Sequence, residues 1–147
     1  MNWTEYFRNI ANAVSQKSKD KHTHIGAVIV GEDKEIVSTG YNSYPRGIND
    51  NVSERQERPE KYHWFEHAER NAIYNAARVG VSTKGCSLYM SHWFPCVECV
   101  RAIIQSGIST LYCEPLDEKA SNINYNESFK RSIQMLNEAK IKIVYYS

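Results

Sequence analysis

Residues 66–113 read EHAERNAIYNAARVGVSTKGCSLYMSHWFPCVECVRAIIQSGISTLYC, and this stretch decides the fold. Its spacing predicts a helix from near Glu66 to about Val79, closed by Gly80. Leu88–Met90 follows as a strand. Pro95 suits a first helical turn and opens a second helix, which carries Val100, Ile103 and Ile104 on one side and stops at Gly107. Ser109–Cys113 is the next strand. Helices alternating with strands imply an α/β fold whose later strands run parallel, with helices on the sheet's faces.

The flanks extend this pattern. Trp3, Tyr6, Phe7, Ile10 and Val14 recur at helical spacing over residues 3–16. Ile25–Val30 is an apolar, β-branched run, read as a buried strand. A Gly31-Glu32-Asp33-Lys34 turn leads to Ile36-Val37, which suggests a hairpin. Residues 43–63 hold Pro45, Gly47, Pro59 and many charges, and read as a long surface loop. Glu127–Ala139 is a further helix with Phe129, Ile133 and Leu136 inward, and Ile141–Tyr146 a last strand. No repeat divides the 147 residues, so 1–147 is read as a single domain.

The hydrophobic fraction is 41% and the charged fraction 24%, as in a soluble globular protein rather than a disordered one. Eighteen basic against 17 acidic side chains give no global basic field. Binding to polymeric nucleic acid or to a membrane is therefore not expected, whereas a small anionic ligand needs only a local cluster. Neither a signal peptide nor a membrane span is apparent, so the expected location is cytoplasmic, where thiols stay reduced.

His67-Ala68-Glu69 and Pro95-Cys96-Val97-Glu98-Cys99 carry the chemistry. Cysteines three apart at a helix start place both sulfurs on one side. With His67 they make a two-sulfur, one-nitrogen set. Three protein ligands with an open fourth position is the pattern of a catalytic Zn²⁺ site. Such a zinc lowers the pKa of its water toward about 7. Glu69, two residues from His67, is placed to carry a proton from that water to a leaving nitrogen. H-x-E followed by P-C-x-x-C is the signature of zinc deaminases of nucleobases, with the Glu as acid/base rather than ligand. A C-x-x-C alone also fits a redox pair or half of a structural zinc site. Cys86 and Cys113 fall in or beside strands and read as buried apolar residues. His24 and His92 are read as either pocket-lining or ordinary polar residues.

The chain resembles the deoxycytidylate (dCMP) deaminases of the cytidine deaminase superfamily. The resemblance rests on Ser18-Lys19-Asp20, Ile25–Val30, Thr39-Gly40-Tyr41-Asn42, Pro45-Arg46-Gly47, Glu66–Ile73 and Pro95–Ile108. It implies a three-layer α/β/α sandwich around a five-stranded mixed sheet, hydrolysis of dCMP to dUMP and ammonia, and a homo-oligomer, commonly a hexamer. It implies that Asn42 and the backbone of Ala68 contact substrate, that Ser18 and Lys19 approach its phosphate, and that Tyr125 closes over it. It also implies activation by dCTP and inhibition by dTTP at a separate Mg²⁺-assisted site, with Tyr41, Ser43 and Arg46 as candidates. The family's Gly-Tyr-Asn-Gly reads Gly40-Tyr41-Asn42-Ser43 here, and His22 stands where many bacterial members carry Arg. The zinc motif alone leaves other substrates open: a free nucleoside, dCTP or modified dCMP, or a base in RNA.

Overall fold

Strands that alternate with helices build one sheet. The computed structural model describes residues 1–116 and 123–147, with the backbone alone for 123–126. In chain order the elements are α1 (Trp3–Ser15), β1 (Gly26–Val30), β2 (Ile36–Tyr41), a 3-10 turn at Ser53–Gln56, α2 (Lys61–Trp64), α3 (Ala68–Val79), β3 (Ser87–Met90), α4 (Val97–Gln105), β4 (Thr110–Cys113), α5 (Ile123–Glu138) and β5 (Lys142–Tyr145). The sheet order is β2-β1-β3-β4-β5. β1 runs antiparallel to both β2 and β3, and the pairs β3–β4 and β4–β5 are parallel.

Side chains alternate across the strands and divide the core in two. Ala27, Ile29, Leu88, Met90, Leu111 and Cys113 face α3, α4 and α5, whose Ala72, Val100, Ile103, Phe129 and Leu136 fill the larger core. Val28, Val30 and Tyr89 face the other way and meet Phe7 and Ala11 of α1. The connections through α4 and α5 join parallel neighbours in the same direction along the sheet, which puts both helices on one face. The result is the expected three-layer α/β/α sandwich. Every residue of β1 is buried, as its unbroken apolar run requires.

Two glycines set the helix-to-sheet distance. A Cβ on Gly26 would stand 2.0 Å from the Ala11 carbonyl oxygen of α1. One on Gly40 would stand 2.3 Å from the Ala72 nitrogen and 2.5 Å from the Ala68 oxygen of α3. Only a residue without a side chain lets these backbones meet.

The stretch 43–63 is not a plain surface loop. It holds the 3-10 turn and the start of α2, and Tyr44, Gln56 and Lys61 are buried. Tyr44 packs on Phe65 at 4.3 Å between ring centroids, and residues 43 and 66 form an antiparallel bridge. Aromatic residues spaced too widely for a periodic pattern anchor this segment. Helix α3 starts later than its sequence suggests, at Ala68, with His67 as its N-cap. Likewise Pro95 precedes α4, and Cys96 caps it.

Candidate active site

Two helix starts converge on one end of the sheet. His67 caps α3 and Cys96 caps α4, so both helices direct their partial positive N-termini toward the same place. The Cys96 sulfur accepts the backbone N–H of Cys99 at 3.5 Å, as an N-cap side chain does. His67 turns Nδ1 to the sulfurs, 3.3 Å from Cys99 Sγ and 3.4 Å from Cys96 Sγ. The three candidate ligand atoms all lie within 4.8 Å of one another. Arg70 ties the two halves together: it pairs with Glu66 before α3 and with Glu98 on α4, the latter at 2.9 Å.

The electrostatics of this cluster suit a cation. The neighbouring Cys99 side chain, with the His67 contact, holds Cys96 down at about 4. The same pairing, reinforced by burial, pushes Cys99 well up. The Cys96 contact also raises His67 against the pull of burial. Three donor atoms this close form a ready ligand set for one cation. Two soft sulfurs and an imidazole fit Zn²⁺. Glu69 is 4% exposed on the first turn of α3, and burial pushes its carboxyl above the usual range while His67 pulls it down.

A cavity of about 750 Å³ opens over this cluster. His67, Ala68, Glu69, Cys96 and Asn42 line it, together with Arg58, Lys61, Phe65, Trp93 and Glu114 among others. Cys99 lies fully buried behind it. Arg58 has no carboxylate partner among the described residues; its guanidinium faces the Tyr62 ring at 5.8 Å. Lys61 is instead bound to buried Asp20 at 2.7 Å. The Asn42 side chain accepts from the Ile25 N–H at 2.9 Å and donates to the Thr23 carbonyl at 2.8 Å. It therefore clamps the start of β1 as well as facing the cavity.

Ser18 and Lys19 are not at this cavity. The Ser18 hydroxyl is buried and donates to the Asn42 carbonyl at 2.8 Å. Lys19 pairs with Asp50 and lines a second cavity of about 210 Å³, with Lys17, Tyr41, Ser43, Arg46 and Asp50. The Tyr125 side chain lies outside what the structure describes, since only its backbone is placed. His24 and His92 do not line the cavity: His24 meets the Asp20 carbonyl oxygen at 2.7 Å, and His92 meets the Ser91 hydroxyl at 3.0 Å. Cys86 and Cys113 are buried free thiols, and burial pushes Cys113 up to about 12. Sequence patterns did not single out Arg58, Lys61 or Trp93. Arg58 and Lys61 sit in an aperiodic stretch, and the only prior signal for Trp93 was its place three residues before Cys96.

A sequence profile of the cytidine and deoxycytidylate deaminase zinc-binding region matches residues 1–114. The chain belongs to that family. It is 37% identical over 143 residues to a deaminase of the luxG 3′ region of Aliivibrio fischeri, covering 97% of this chain and 92% of the relative. It is 42% identical over 113 residues to human deoxycytidylate deaminase, covering 74% of this chain but 62% of the human protein. This deaminase shares its fold with the dCMP deaminase of cyanophage S-TIM5, solved with dCMP and dUMP (TM-score 0.77, 23% identity, 99% of each chain). None of the described helices is long and apolar enough to cross a membrane.

Proposed function

We propose that this deaminase removes the 4-amino group of dCMP hydrolytically, giving dUMP and ammonia and so supplying dUMP for thymidylate synthesis. The observation that carries the reading is the convergence of His67, Cys96 and Cys99 within 4.8 Å beside buried Glu69, under one roomy cavity. His67 Nδ1 and the two sulfurs would hold Zn²⁺, which when bound would supply Lewis-acid activation of water. The Glu69 carboxylate accepts a proton from the attacking water and delivers it to the departing amine. Its burial suits that work, because a raised pKa makes the carboxylate a stronger proton acceptor. Ala68, at the floor, offers its backbone to the pyrimidine, and Asn42 meets the sugar. Arg58, which has no carboxylate partner among the described residues, is the cavity-wall cation suited to meet the substrate phosphate. The resemblance to human deoxycytidylate deaminase supports the choice of a nucleotide.

The test is a panel of dCMP, CMP, dCTP, deoxycytidine and tRNA, followed by ammonia release. Turnover is expected with dCMP at the highest kcat/KM. Turnover of deoxycytidine or tRNA alone refutes the nucleotide assignment.

The second cavity favours a regulatory reading. Lys17, Lys19 and Arg46 surround it, with Tyr41 and Ser43 on its wall. Three cations are suited to a Mg²⁺-bound triphosphate, with dCTP as activator and dTTP as inhibitor. A phosphate there must displace Asp50 from Lys19. Repeating the dCMP assay with each triphosphate tests this; identical rates with and without both refute it. A homo-oligomer, a hexamer by resemblance, is checked by light scattering, and a cytoplasmic location follows from the substrate pool.

A further inference from the structure

Trp93 lines the large cavity in a conformation that a bulky residue rarely adopts. Its φ is +69°, in the left-handed region, where a Cβ crowds the backbone. The strain is held by a closed set of contacts. The Trp93 N–H donates to Glu114 Oε1 at 2.7 Å, and the Glu114 N–H donates back to the Trp93 carbonyl at 3.1 Å. Arg8 Nη2 donates to the other Glu114 oxygen at 3.3 Å, and Arg8 Nε to the Ser91 carbonyl at 3.2 Å. The Arg8 guanidinium is itself seated over the Tyr146 ring at 4.1 Å.

All of this restrains the backbone, and none of it buries the indole. Trp93 remains 48% exposed while lining the cavity, and its one ring contact among the described residues is edge-on with His92, 5.6 Å between ring centroids. A strained backbone held by two hydrogen bonds to Glu114, with a half-exposed aromatic ring lining a cavity, is how functional side chains are held. We infer that Trp93 is a specificity-determining residue: its indole forms the aromatic wall against which the planar ring of a pyrimidine-class substrate stacks. Glu114 and Arg8 are positioning residues that aim it. The inference rests on the deaminase reading of the cavity and adds the residue that selects a flat heteroaromatic ring.

The test separates the indole from the backbone. Trp93→Ala and Trp93→Gly both delete the ring, but only glycine relaxes at φ +69°. Trp93→Gly is therefore expected to melt several degrees above Trp93→Ala. Both are expected to raise KM equally, by about 5- to 100-fold, the range of one base–aromatic stack, with kcat little changed. Trp93→Phe recovers most of the KM. As a readout without turnover, titration with dUMP is expected to quench tryptophan emission in the wild type and not in Trp93→Phe. Four outcomes overturn the inference: an unchanged KM in both truncations, activity that follows melting temperature, equal quenching in Trp93→Phe, or loss of oligomer at unchanged KM. Failure of the dCMP reading is distinguishable. There the wild type shows no dCMP turnover, and the KM comparison moves to whichever pyrimidine of the panel reacts.

Discussion

In the proposed reaction the Glu69 carboxylate has to do two things, accept a proton and give it up, and its surroundings bias it toward both. Burial favours the neutral acid, while His67 and the start of α3 favour the anion. Glu69→Gln keeps the shape and removes the exchangeable proton. It is expected to retain one zinc per chain by elemental analysis while kcat falls by about 10²–10⁴-fold or more. Zinc-replete protein with full turnover refutes the role. Cys99→Ala divides the effects the other way. It removes a sulfur buried behind the cavity, so zinc content and melting temperature should both fall. These residues were legible because they lie in two short local motifs, H-x-E and P-C-x-x-C, where spacing alone brings the groups to one side. Their partners were not. Arg70 joins Glu66 and Glu98 across two helices, and nothing local records that contact. Lys19 illustrates the converse: the resemblance implies that it approaches the substrate phosphate, yet its side chain pairs with Asp50.

Among the elements, the decisive one is α3, because it delivers His67, Ala68 and Glu69 together. Its seat is set by Gly40 on β2, which leaves no room for a Cβ against Ala68 and Ala72. Gly40→Ala is therefore expected to push α3 off the sheet at a cost of about 1–3 kcal/mol, the usual range for overpacking. In a chain of this size that lowers the melting temperature by about 2–4 °C per kcal/mol. A shift of the helix also displaces Glu69 from the triad, so kcat should fall further than stability explains. Calorimetry paired with dCMP turnover checks both; an unaffected melting temperature refutes the close-packing account. The helices and strands themselves were readable from period and breakers. β1 shows as an apolar run and α4 as a stripe ended by Gly107. The segment between β2 and α3 was not, because Tyr44, Gln56 and Lys61 are buried without any period. Cys96 and His67 act as caps rather than first-turn residues because the chain is still extended at both, with ψ of 168° and 154°.

At the scale of the whole molecule, the buried Asp20–Lys61 pair joins the segment before β1 to the one before α3, and both residues line the cavity. The two residues are 3% and 7% exposed. Burial alone would raise the Asp20 carboxyl. The Lys61 ammonium and the backbone N–H groups of His22 and Thr23 outweigh it and hold Asp20 below the usual carboxylate range. The unfolded chain, with an Asp pKa near about 3.9, then binds more protons than the folded one in that window. The pair's stability is thus fully present above the unfolded value and is lost as pH falls through the folded one. Asp20→Asn removes this titration but strands a buried ammonium, an error that costs about 3–5 kcal/mol at neutral pH. Asp20→Asn/Lys61→Met removes both charges and should regain most of that loss. Zinc release by protonation of His67 and the cysteines adds acid sensitivity to every form alike, so the comparison isolates Asp20. Urea unfolding of the zinc-loaded proteins from pH 3 to pH 8 is expected to show the double variant losing less stability than wild type on acidification. Parallel acid limbs, or a single variant as stable as wild type at pH 7, would refute the pair as a brace of the cavity.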